Sequence, residues 1–425
     1  MTKDITRVTR RRVFHIPGYD PFHPRRYREL YRSESAAQAQ ISGYNIAVQA
    51  GVVGNGFHWS VDSETAGQAV QARIDVLVWS DIVRDSMAQS ILATYRQLFM
   101  TAWIYISTGT LRRLMWLRKG PVIAALYPVA MLLGQLVIAL QLGWALGRLA
   151  EWALNSAVTG IGLGGGVIAA GIGWLAWLIK LGILGIVAVY LLRWFKAQDN
   201  KLFAYYLMHD YAFSAQYRGA TPPELTERLA EFADQIAAAL QDDNEDEVLI
   251  VGHSSGAHLA VMVIANLIRD GRVPADGPKL AFLSLGQVAP MVSFLPEARQ
   301  LRADLAFLAT QEALTWVDVT APGDGCCFAL CDPVAVTGVT PPGKHWPLVI
   351  SAAFTQSLSA ARWKALRWRF FRLHFQYLCA FDQPKDYDYF QITAGPLTLA
   401  DRFRDRPPSK SRIDVPASKY TSLAS

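Results

Sequence analysis

EVLIVGHSSGAHLAVMVIANLIR, residues 247–269, decides how the rest of the chain is read. It opens with a short apolar run and closes with apolar residues at helical spacing. Between the two stands Gly-His-Ser-Ser-Gly, with Gly252 and Gly256 flanking Ser254. A strand that turns sharply into a helix needs small residues around a strained central position, because a Cβ there would meet the crossing backbone. The pattern predicts a strand, a tight turn and a helix, with the Ser254 hydroxyl held out at the strand's carboxyl end. The plainer alternative makes Ser254 or Ser255 an ordinary N-cap of the following helix.

Outward from this turn, short β-rich runs recur: RRVFHIP near the start, RIDVLVWSD at 73–81, then DEVLIV, KLAFLSLG and ALTWVDVT. Helical patterns cover roughly 86–100, 223–241, 256–269 and 296–312. Strands alternating with amphipathic helices predict an α/β fold with a mainly parallel sheet flanked by helices.

A block of different composition interrupts this alternation before the strand at 247. Apolar spans at about 121–142 and 167–192 are each long enough to cross a bilayer core, which takes about 20 residues. They predict a transmembrane hairpin over 119–195, inserted between an N-terminal part (1–118) and a C-terminal part (196–402) of one α/β domain. The polar stretch GRLAEWALNSAVTG reads as the connector.

Arg112, Arg113, Arg118 and Lys119 precede the first span and Arg193, Lys196 and Lys201 follow the second, whereas the connector offers only Arg148. Basic residues stay on the cytoplasmic side, so the soluble parts and both termini are expected there, on an inner or cytoplasmic membrane. Lys180, inside the second span, is expected to face the partner helix or snorkel to polar lipid. Gly160, Gly162 and Gly165 spell G-x-G-x-x-G, but no soluble strand precedes them and no acidic residue follows at the required distance. They read instead as small residues that let helix backbones approach. His209 and Asp210, just beyond the second span, read as a juxtamembrane polar patch. The tail from 403 to 425 is polar, with scattered Pro and Ser, and is expected to be flexible.

Composition narrows the classes further. The chain has 425 residues and is 52% hydrophobic, enough for a sizeable core. Its 41 Lys+Arg against 35 Asp+Glu give +6, but no groove-reading motif accompanies the basic clusters, so no nucleic-acid partner is expected. Four cysteines, three of them in CCFALC, suit a reducing compartment and lack the second ligand pair of a zinc site. Neither a metal nor another cofactor is expected. MTKDITRVTRRR leads into no long apolar run, so a cleavable signal peptide is not expected.

With VFHIPGYDP near the start, VGHSSGAHLA at the turn and a late acid and histidine, the chain resembles the α/β-hydrolase superfamily, across both soluble parts but not the hairpin. The resemblance implies a serine esterase or lipase-like enzyme in which Ser254 is the nucleophile and the order along the chain is Ser, acid, His. It confines the base to His258, His345 or His374. His258 lies one turn along the helix and reads as structural. His374, in FFRLHFQYL, is favoured because a base late in the chain suits that layout, unless 357–378 forms one long helix, which would favour His345 in PPGKHWP. For the acid, Asp324 in the Pro-Gly loop after ALTWVDVT is favoured over Asp318 inside that strand, with Asp332 a poorer third. Oxyanion donors would be the backbone N–H groups of Ser255 and of Tyr19 in IPGYDP, a loop that departs from the His-Gly-Gly-Gly pattern of many lipases. His253 is expected to pack beside the strand. The implied function is a membrane-anchored serine hydrolase acting on an ester, with a lipid or acyl ester favoured. The competing reading is an inactive hydrolase fold serving as a membrane scaffold.

Overall fold

The computed structural model describes residues 7–51, 56–87, 90–161 and 166–424, of which 166–169 are described by backbone only. Two compact units result: unit 1 gathers Met1–Ser86, Trp103–Ala124 and Ser214–Ser425, and unit 2 gathers Met87–Ala102 and Ala125–Phe213.

Unit 1 is built on one sheet of β1 (Arg10–Ile16), β2 (Asn45–Ala50), β3 (Phe57–Thr65), β4 (Gln68–Val76), β5 (Glu247–His253), β6 (Lys279–Leu285), β7 (Leu314–Thr320) and β8 (Leu348–Ser351). The order across it is β2-β3-β4-β1-β5-β6-β7-β8. β1 runs parallel to both β4 and β5, and β5 through β8 are parallel in sequence. β2, β3 and β4 form an antiparallel ribbon. The sheet is therefore mixed, which corrects the expected mainly parallel one. β3 alternates buried and exposed residues, the signature of a strand with one solvated face, and a search for continuous apolar runs passes over it. β5, buried at every position, lies well inside the sheet.

The chain leaves β1 toward one edge through β2–β4 and returns beside β1 at β5 to build the other. Strand order thus reverses between β1 and β5, and open α/β sheets hold their ligands in the crevice at the carboxyl ends of such a pair. At the opposite ends the same two strands are joined by a fully buried ion pair, Arg11 Nε to Glu247 Oε2 at 2.7 Å. Arg11 also donates to the carbonyls of Gly395 and Leu397, and Glu247 accepts from the Leu399 amide, so neither charge is left unsatisfied.

The tail does not follow its composition. Backbone hydrogen bonds join Ser409 to Val349, Ile413 to Leu330, Asp332 to Ile413, Ala417 to Val336 and Ala424 to Arg299. Ala417 is buried, and Arg302 reaches the Ser422 carbonyl. The expected flexible segment is instead fastened along unit 1, because its backbone groups find partners that its side chains do not advertise.

Unit 2 is helical and differs from the expected 119–195: it takes in 87–102 and 125–213, while 119–124, the first turn of the long helix, belong to unit 1. The helices Lys119–Gly160 and Gly166–Ala197 dominate it, and both are long and apolar enough to cross a membrane. Their most apolar windows are only 28% and 17% buried, whereas a soluble core helix would be mostly covered. The expected connector is not a loop: residues 147–160 continue the first helix, having no proline to stop it.

Gly143 and Gly147, four apart, pack against the backbone of Leu184 and Lys180, where an added Cβ would lie 2.9 and 2.8 Å from their carbonyl oxygens. Among the described residues nothing packs against Gly160, contrary to its reading as a packing glycine, and Gly162 and Gly165 lie outside the described residues. Lys180 faces the partner helix, with its ammonium 3.2 Å from Glu151. His209 is buried on the helix Ala204–Ala215, and Asp210 beside it is partly exposed.

Candidate active site

β5 ends at His253, and the helix Ser255–Arg269 begins two residues later. Ser254 alone makes the turn, at φ 57° and ψ −121°, a left-handed region that a non-glycine residue occupies only under strain. Its neighbours explain how this is possible. A Cβ on Gly256 would lie 2.0 Å from the Ile16 carbonyl oxygen, and one on Gly252 would lie 2.6 Å from Cα of Ala257. Gly18 approaches from the loop after β1, where its Cβ would be 3.0 Å from that of Ser254. Three glycines thus let β1, β5 and the helix crowd around one side chain. The Ser254 hydroxyl, on a half-buried residue, makes no cap hydrogen bond to the helix it precedes, so the plain N-cap reading does not hold.

The other candidates arrive at the same carboxyl edge from different strands. Asp324 lies in the loop after β7 and is buried. Its Oδ2 is 2.7 Å from Nδ1 of His374 and 3.0 Å from the Tyr377 hydroxyl, and its Oδ1 accepts from the Cys326 amide at 2.8 Å. Burial alone would push this carboxyl up, but the His374 imidazole and the donated hydrogen bonds outweigh it and hold the acid below its ordinary range. An ionised carboxylate only accepts, so Nδ1 of His374 carries the proton and a neutral ring keeps its Nε2 lone pair for another proton.

His374 is seated against Gly286, the first residue after β6, at φ 54°. A Cβ on Gly286 would lie 3.0 Å from Cε1 of His374 and 2.8 Å from the Tyr377 ring. The Ser254 amide in turn donates to the carbonyl of Leu285, the residue before that glycine, at 2.9 Å. The strained turn and the imidazole's seat are therefore one residue apart. Ser254 and His374 share this edge without a hydrogen bond between them among the described residues; such contacts are often long before substrate binds.

The segment that raised the choice of base is broken into Phe354–Ser357, Ala360–Leu366 and Phe370–His374, followed by a 3-10 turn at Phe375–Leu378. No continuous helix forms, and the break after Leu366 lets His374 turn inward. His345 is exposed three residues before β8, at the amino edge of a strand parallel to its neighbours, and so lies across the sheet from Ser254. It lines a separate cavity of about 390 Å³ with Lys344, Phe403 and Arg412. Asp318 points its Oδ1 at the Ser284 hydroxyl, 2.6 Å away, and burial pushes its pKa up to about 8. Asp332 caps a short helix and pairs with Lys344. None of these three joins the Ser254 turn. His258 is buried in the helix, where desolvation lowers it to about 4.

Ser255 opens the helix, so its N–H has no partner within that helix. The loop carrying Tyr19 is held by Trp79 Nε1, which donates to the Pro17 carbonyl at 2.9 Å, and the buried Tyr19 phenol bonds Ser86. Sequence reading missed Tyr377 and Gly286. The glycine ending LSLG was a usable signal; nothing local marked the tyrosine. His253 does lie beside the strand end, but with a partner the sequence did not announce: its Nε2 is 3.0 Å from the His374 carbonyl.

Asp324, Cys326 and His374 also bring possible metal-ligating atoms within 4.8 Å of one another. Two ligands on one zinc at about 2.1 Å would stand roughly 3.4 Å apart in a tetrahedral site. The 2.7 Å between Asp324 Oδ2 and His374 Nδ1 is a hydrogen-bond distance instead. No protein-family model, curated protein or solved structure matches the chain, so its function must be read from this geometry.

Proposed function

We propose that the chain is a membrane-anchored serine hydrolase of the α/β-hydrolase type that cleaves carboxylic esters, with lipid or acyl esters favoured. The observation that carries this reading is the strained Ser254 turn at the same sheet edge as the Asp324–His374 pair. A serine that only filled a loop would have no reason to hold an unfavourable φ among three crowded glycines.

In the proposed reaction, Ser254 Oγ attacks the ester carbonyl while His374 Nε2 takes its proton. Asp324 holds the ring in the required tautomer and stabilises the imidazolium that forms. The N–H groups of Ser255 and Tyr19 would receive the developing oxyanion. Collapse expels the alcohol, which takes the proton from His374, and leaves an acyl-serine. Water then repeats the sequence, with the imidazole again as base, to release the acid.

The hairpin supports the membrane part of the reading. At about 1.5 Å per residue either helix exceeds the roughly 30 Å bilayer core. Basic flanks at Arg112–Lys119 and Arg193–Lys201 favour a cytoplasmic location for the soluble parts. Labelling of detergent-purified protein with a fluorophosphonate tests the enzyme reading: modification of wild type that disappears in Ser254→Ala supports it. A folded wild type that never labels and cleaves no ester would favour the scaffold.

A further inference from the structure

From Pro333 to Phe381 the chain contains no Asp or Glu, yet Arg362, Lys364, Arg367, Arg369 and Arg372 crowd into eleven positions of it. These residues belong to a strap, residues 359–374, that runs over the loop of Asp324 before delivering His374. Its inner side is fastened. The Trp363 ring lies over Gly323, where a Cβ would be 2.6 Å from Cη2, and Phe370 lies over Gly325 at 3.5 Å. The two glycines bracket Asp324.

Its outer side is unlike a normal soluble surface. Trp368 is 72% exposed and Phe370 48%. Lys364, Arg367, Arg369 and Arg372 are exposed around them. Among the described residues none of these four has a carboxylate partner, whereas Arg362 reaches Glu34 at 3.7 Å. Arg367 instead stacks over the Trp368 ring, 5.5 Å from its centroid.

A third observation says what covers this face. Gly120, in the first turn of the apolar helix Lys119–Gly160, packs against the same Gly325, where its Cβ would lie 3.4 Å from Cα. The root of the helix and the strap therefore meet at one glycine beside the acid. Arg118 fixes that root by donating to the Ala329 carbonyl at 2.9 Å. Upstream, Trp116 is 65% exposed and Arg112 is exposed beside it. Aromatic residues mixed with Arg and Lys, at the point where an apolar helix begins, match the headgroup layer of a bilayer.

We propose that the outer face of residues 359–374 docks onto an anionic lipid leaflet, placing the rim of the Ser254 site at headgroup depth. This rests on the reading of Lys119–Gly160 as a membrane helix and deepens the proposed function, since it favours substrates whose ester lies at the lipid headgroup level. The cationic arginines neutralise lipid phosphates while Trp368 and Phe370 enter the interface. A soluble acidic partner would explain the charges but not the apolar helix that begins at the same spot.

The test uses the full chain in nanodiscs of phosphatidylcholine, with or without about a third phosphatidylglycerol. Tryptic cleavage after Lys364, Arg367, Arg369 and Arg372 is followed by mass spectrometry. Docking predicts cleavage at least about tenfold slower in the anionic discs, with the difference erased by molar salt. Equal rates in both discs, or protection by soluble heparin but not by anionic lipid, would overturn it. Ser254→Ala should show the same protection, so docking is judged independently of catalysis. Protection without fluorophosphonate labelling would sink the hydrolase reading alone, and labelling without protection would sink the docking alone. Arg367→Gln, Arg369→Gln and Arg372→Gln combined should leave hydrolysis of a water-soluble ester unchanged and remove stimulation by phosphatidylglycerol.

Discussion

His253 Nε2 stands 3.0 Å from the carbonyl oxygen of His374, with the two imidazole rings 4.8 Å apart. Desolvation, reinforced by the neighbouring His374 ring, keeps His253 well below its ordinary pKa, so it is neutral and donates from Nε2. The residue before the strained serine thereby holds the backbone of the candidate base. The turn and the imidazole are positioned as one assembly rather than as two loops that meet by chance.

His253→Phe keeps a buried aromatic ring, though a larger one, and removes the donor. We expect kcat to fall roughly 10- to 100-fold with little change in KM, as for other partners that orient a reacting group. His253→Gln, which retains a donor, should recover most of the loss. A purely structural role would instead lower Tm in both variants and leave kcat of the folded fraction intact.

The two acids separate by pH. Asp318, raised to about 8 mainly by burial, keeps in the folded protein a proton that the unfolded chain has lost above the ordinary value of 3.8. Stability therefore falls as pH rises through that window, and Asp318→Asn should remove the slope, raising Tm at pH 8 while sparing activity. Asp324 lies below its ordinary value, so its contribution is present above that value and fades as pH drops through the depressed one. Asp324→Asn should cost about 10⁴-fold in kcat at neutral pH, by analogy with removal of the orienting carboxylate from a triad. Thermal melts from pH 2 to pH 9 and esterase assays distinguish the two; full activity in Asp324→Asn would discard it as the orienting acid.

Glycine substitutions probe the crowding. Gly256→Ala would press a methyl into the Ile16 carbonyl at 2.0 Å, and we expect a loss of more than about 3 kcal/mol or no folded protein. Gly286→Ala meets first the rings of Tyr377 and His374 and is also strained at φ 54°, so it should cost about 2–4 kcal/mol yet displace the imidazole and lower kcat about 100-fold. Denaturant titration alongside kinetics reads both effects. Unimpaired turnover in Gly286→Ala would mean that the ring is not seated there during reaction.

Within the helical unit, Glu151→Gln leaves the Lys180 ammonium without its carboxylate. In lipid this should destabilise the hairpin by about 1–3 kcal/mol, and adding Lys180→Met should restore most of the loss. A double-mutant cycle of melting in nanodiscs measures the coupling. A coupling near zero would place the pair in water.

Local chemistry made part of this molecule legible in advance. The spacing in 247–269 marked β5, the turn and its helix, because Gly252 and Gly256 answer a demand that extends over only five residues. The uncharged runs likewise marked the two long helices, since length and apolarity are properties of a segment alone. Half-solvated strands such as β3 hide more easily, because their polar face dilutes the signal.

What the sequence alone determined, then, was a serine on a strained strand-to-helix turn and a pair of apolar helices. The tertiary structure decided which histidine and which aspartate stand near that serine, because the end of the sheet a loop reaches depends on strands far apart in the chain. The letters favoured His374 over His345 only by its late place in the chain; the direction of β8 is what sends His345 to the opposite edge. The same dependence on distant partners fastened the polar tail, whose hydrogen bonds are made by backbone and so leave no trace in composition.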